Sequence, residues 1–221
     1  MEAPSVLSRG SILSRASVWV VGASMALVAA CASRGGRSPE SGEAFGSLTE
    51  TQKALEDGRS ALGKTQEALS HLSWGGDVPA SYRQLKSATA NFRAQGTAIH
   101  DLGQEMRDRG QTYLASWQKE AVLVQDVSLK TSADQRRRAV VNGYDRISAS
   151  ARATRDAWRP YDEALQDIER TLAFDRTLAG LKAAGPTIQK AFADGETLNE
   201  RLDGLTAEIA RLRRGETLPP P

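Results

Sequence analysis

Cysteine is nearly missing from this chain: Cys31 is the one residue of its kind among 221. A disulfide within the chain and a metal site built on several thiolates are thereby excluded. Histidine is almost as scarce, with only His71 and His100. They fall on separate predicted helices, without a second histidine at ligand spacing, and read as exposed helix residues. Long apolar runs are missing too, since residues 16–30 fall short of the roughly 20 needed to span a bilayer. Basic and acidic side chains nearly balance at a formal +2 and are interspersed, which leaves no nucleic-acid footprint. Even Arg136, Arg137 and Arg138, consecutive on a helix, spread around its circumference and read as solvated surface. No nucleophile elbow, phosphate loop or dinucleotide fingerprint occurs. Asp and Glu read as solvated helix charge rather than paired catalytic acids. No catalytic residue, cofactor or metal ligand is therefore assigned.

What Cys31 does have is a setting. Arg9 and Arg15 precede the apolar run of residues 16–30, and Val28-Ala29-Ala30-Cys31 resembles a lipobox. Small residues there fit a peptidase cleft, and the cysteine thiol takes a diacylglyceryl group. A plain membrane anchor is the rival reading, but the short run and its flanks suit a cleaved signal better. The expected organisation is a lipoprotein signal peptide at residues 1–30, a flexible tether from lipidated Cys31 over residues 31–46, an elongated helical domain over residues 47–214, and a disordered tail at residues 215–221. The membrane is then a partner through the lipid on Cys31. The place is the bacterial cell envelope, and, since Ala32 and not aspartate follows, the outer membrane facing the periplasm in a two-membrane host.

From Leu48 onward the pattern is heptad, the spacing that keeps one apolar seam against a neighbouring helix. Ser47 and Glu50 form a capping box, after which Leu48, Leu55, Leu62 and Leu69 recur with Ala54, Ala61 and Ala68 beside them. Residues 73–77 close this helix, with Asp77 as the next cap and Pro79 tolerated in a first turn. The second helix carries Leu85, Phe92, Ile99, Met106 and Tyr113 on one line. On the other line stand Tyr82, Thr89, Gly96, Gly103, Gly110 and Trp117. Three glycines at heptad spacing cost a helix roughly 1 kcal/mol each. They are read as close-packing points, tolerated weak points being the alternative, and Gly103→Ala is accordingly expected to destabilise.

Residues 126–131 read as the turn of a long hairpin, with Ser132 and Gln135 capping a third helix that runs from Val140 through Ile147, Trp158 and Leu165 to Leu172. Folding about residues 128 and 129 sets Tyr113 near Tyr144, Gly103 near Thr154 and Gly96 near Tyr161. Pro160 should kink this helix. A break at residues 179–186 should precede a fourth helix, whose seam includes Ile188, Leu198, Leu202 and Ile209. Helices two and three would each be on the order of 70 Å long at 1.5 Å per residue, with the outer two about half that. The expected fold is all-α: an elongated antiparallel helical bundle or coiled coil, built on one long hairpin with two shorter flanking helices and ending in a thin two-helix tip.

Gly75-Gly76-Asp77, Tyr82, Trp117, Ser128-Leu129-Lys130, Tyr144, Pro160 and the leucine-rich fourth helix together resemble the bacterial family of domain of unknown function 2959. The resemblance implies a helical, coiled-coil-like envelope protein with a lipoprotein signal, and transfers no functional residue. Two function classes lead from here. One is a non-enzymatic envelope lipoprotein whose rod is a spacer or docking surface for other envelope proteins, or self-associates. The other is a periplasmic carrier or chaperone that covers lipid or a client with amphipathic helices. An enzyme ranks third.

Overall fold

The computed structural model describes residues 38–215, so the expected signal peptide, the expected lipidation residue Cys31 and the expected tail at residues 216–221 lie outside the described residues. Within them the chain is all-α, as the heptads require. Its helices are α1 (Pro39–Ser73), α2 (Val78–Leu123), α3 (Val127–Phe174) and α4 (Leu178–Arg214). Short connections make successive helices antiparallel. α1 packs along α2 and α3 along α4, α1 touches α4, and the contact between α2 and α3 is sparser. The seams fill the centre, where Leu55, Leu69, Leu85, Leu165, Ile168 and Leu198 lose all exposure to solvent.

α1 begins earlier than its sequence suggests. Ser38 accepts from the Ser41 N–H at 3.3 Å and Pro39 follows in the first turn, a position where the missing amide costs nothing. Ser47 is no cap. It is buried in mid-helix, its hydroxyl donating to the Ala44 carbonyl at 2.8 Å, while Glu50 lies 4.0 Å from Arg109 of α2. The expected tether over residues 31–46 is thus helical from Pro39, and Ala44 extends the buried seam. The flanking helices consequently measure 35 and 37 residues against 46 and 48, well over the expected half.

Caps decide the other boundaries. Asp77 accepts the Ala80 N–H at 3.0 Å, as expected, and Gly75 takes the left-handed conformation at φ 72° that closes α1. α3 starts at Val127 and not near Ser132, because Asp126 accepts the Leu129 N–H at 2.9 Å and the Ser128 hydroxyl at 2.7 Å. The Leu129 amide, followed by the Ser128 hydroxyl, holds that carboxyl below its ordinary range. α4 starts at Leu178, eight residues before Pro186, which lies inside the helix. Thr177 accepts from Ala179 and Gly180, and Asp175 takes the Thr177 hydroxyl and amide. The Thr177 hydroxyl is the main reason the Asp175 carboxyl is also depressed. The apolar face around Pro186, with Leu181, Ala184 and Ile188 all buried, outweighs the one backbone bond a proline removes.

The earlier turn shifts the hairpin. Gly96 meets Trp158 rather than Tyr161, and Gly110 meets Tyr144, a displacement of three residues from the expected pairing of Gly96 with Tyr161.

Candidate functional site: an apolar cleft between α2 and α3

Two of the three heptad glycines of α2 carry an aromatic ring from α3. A methyl group placed on Gly96 would come within 2.5 Å of the Trp158 ring, and one on Gly110 within 2.5 Å of Tyr144. Each ring uses the missing side chain to lie against the α2 backbone. Gly103, midway between them, has nothing within 4 Å. That reverses the expectation for this position: it faces open space and is not a packing point.

The open space is a cleft of about 470 Å³ between the helices, with Gly103 on one side and Ala151 on the other. Its floor is apolar, formed by Ile99, Met106, Ile147, Leu202, Leu205 and Ile209. Thr51 and Thr154 also reach it, but their hydroxyls are engaged elsewhere. Thr51 donates to the Ser47 carbonyl at 2.8 Å. Thr154 lies 3.0 Å from the Ser150 carbonyl and 3.2 Å from that of Arg201.

One end of the cleft is closed by a braced ring. Trp158 stacks on Phe92 with centroids 3.9 Å apart and planes 8° from parallel, and Phe92 meets Tyr161 edge-on at 5.2 Å. At this end Arg93, which also lines the cleft, donates to Asp162 at 2.6 Å and to Glu169 at 3.2 Å, and Gln166 donates to the other Asp162 oxygen at 2.7 Å. Burial alone would lower the Arg93 guanidinium; the Asp162 hydrogen bond and the Glu169 charge outweigh it and hold the group above its ordinary value. These carboxylates are interhelical ties rather than the solvated charge expected of them. At the opposite end Tyr144 is pushed up to about 12, first by burial and then by nearby Tyr113. Tyr161 is raised by burial as well.

The mouth is basic. Arg107 and Arg155 line it without a salt bridge among the described residues, and His100, exposed as expected, sits 3.1 Å from Asp101. His71 is far along α1, 3.8 Å from Glu67. Among the described residues no group of three His, Cys, Asp or Glu side chains is placed to hold a metal. Sequence reasoning missed the cleft and Arg93. Once the hairpin is paired three residues earlier, the signal is small Gly103 facing small Ala151 between two aromatic rungs.

Comparison with family models, curated proteins and solved structures returns no match for this chain.

Proposed function

We propose that this protein is a non-enzymatic envelope lipoprotein whose helical domain binds an anionic amphiphile, its apolar chain lying in the cleft between α2 and α3 and its head group at Arg107 and Arg155. The cleft carries the reading. It falls within the size range of small-molecule sites and joins an apolar interior to a few charged groups, which is the complement of a fatty acid or an acidic lipid. Of the two leading function classes, this favours the carrier over the spacer.

A brominated fatty acid added to the full-length chain is expected to quench tryptophan emission through Trp158. Gly103→Leu should fill the cleft and abolish that quenching while leaving helicity intact. Arg107→Glu with Arg155→Glu should weaken the fatty acid but not the matching alcohol. Quenching that survives Gly103→Leu would overturn the cleft as the binding site. The anchor is tested separately: Cys31→Ser, which offers no thiol for lipid transfer, is expected to abolish incorporation of a palmitate analogue in cells. Equal label on both proteins would remove the lipoprotein part alone.

A further inference from the structure

The end of the bundle at the α2–α3 turn is apolar where water should favour polar groups. Val122 is 67% exposed, Leu123 69%, Val127 78% and Leu129 62%. The connection between the helices is only residues 124–126, so these four aliphatic side chains share one small tip. Lys119 and Lys130 flank it, and Arg136, Arg137 and Arg138 lie about two turns further along α3. None of these five cations has a salt bridge within the described residues. Of the nearby acids, Asp126 is occupied in capping α3, and Glu120 and Asp134 leave the five cations in excess.

Chain path points the same way. Phe45 of α1 packs on Tyr113 of α2 at 6.4 Å between ring centroids. Seven residues back along α1 correspond to seven further along antiparallel α2, which puts Ser38 at the level of Glu120, beside the tip. Cys31 is seven residues upstream of Ser38 in the sequence.

We infer that the α2–α3 tip is a second membrane contact, inserting Val122, Leu123, Val127 and Leu129 into the interface of an anionic lipid surface while Lys119, Lys130 and the arginines meet its phosphates. Aliphatic residues ringed by cations are the composition that binds such an interface. A second copy of the chain would instead bring like charges together. The inference does not need the cleft. It does not need the lipid on Cys31 either, whose two acyl chains would hold the protein at a membrane by themselves.

The opposite end supplies the control, since Trp74, Phe174 and Leu178 are exposed there too, while its nearest arginines are engaged, Arg170 with Asp167 and Arg176 over the Tyr82 ring. The full-length chain with Cys31→Ser and Leu123→Cys, labelled with an environment-sensitive dye, is to be mixed with vesicles containing phosphatidylglycerol. The emission at residue 123 is expected to shift to the blue and to be quenched by lipid-borne quenchers. The same dye on Phe174→Cys should not shift, and neutral phosphatidylcholine vesicles should give little change at either residue. Lys119→Glu with Lys130→Glu should weaken the response roughly tenfold or more. Attachment through the N-terminal segment would survive Lys119→Glu with Lys130→Glu, so an undiminished shift in that variant would overturn the inference. No shift at residue 123, an equal shift at residue 174, or a shift that follows protein concentration without vesicles would each overturn the inference. Loss of fatty-acid quenching or of palmitate labelling would leave it standing.

Discussion

Phe92→Ala is expected to cost the domain about 3–5 kcal/mol, the range for truncating a buried phenylalanine. Its ring has no solvent exposure and touches two other aromatics, stacked on Trp158 and edge-on to Tyr161. Aromatic pairing adds to area burial, so the upper half of the range is expected. For a domain of this size that lowers the thermal midpoint by roughly 10 °C. Urea melts followed by circular dichroism measure it. A loss under 1 kcal/mol would show that Trp158 has no need of Phe92 behind it. Fatty-acid quenching should fall in the same variant, since an unsupported Trp158 can turn into the cleft.

Alanine at the three heptad glycines is expected to give opposite signs at residues that look alike in sequence. Gly96→Ala and Gly110→Ala should each destabilise by about 1–3 kcal/mol, because the new methyl meets a ring with little freedom to retreat. Gly103→Ala should instead stabilise by up to about 1 kcal/mol, gaining helix propensity and losing unfolded-chain entropy with nothing to strike. Three single-mutant melts decide it. Equal signs at all three would mean that the rings do not sit on the backbone as described.

Why those glycines could not be told apart beforehand shows where reading from sequence stops. Heptad spacing reports which face of a helix points inward, and Leu48, Leu55, Leu62 and Leu69 are accordingly all buried. Spacing says nothing of how far away the facing helix is. That distance depends on the register of the hairpin, and the register depends on which polar residue wins the cap. Sequence spacing put a cap at Ser132 and a break at residues 179–186, where the structure caps at Asp126 and Thr177. In each case a side chain satisfying two groups at once prevailed. The three-residue shift that followed put Trp158 and Tyr144 on glycines and left Gly103 facing a void. Arg93 was hidden for the same reason, since its acidic partners Asp162 and Glu169 lie on another helix, 69 and 76 residues away in the chain.

The rings on Gly96 and Gly110 have one more consequence. Fourteen residues, or roughly 21 Å of helix, separate the two glycines, and at each end a rigid planar group stands between backbone and backbone. α2 and α3 therefore cannot collapse onto each other without expelling Trp158 from its stack on Phe92 or Tyr144 from the groove at Gly110. The clearance between them is fixed by the width of an aromatic ring, before any guest arrives. A molecule entering the cleft then spends little of its binding energy on ordering the host, which is the usual advantage of a preorganised receptor.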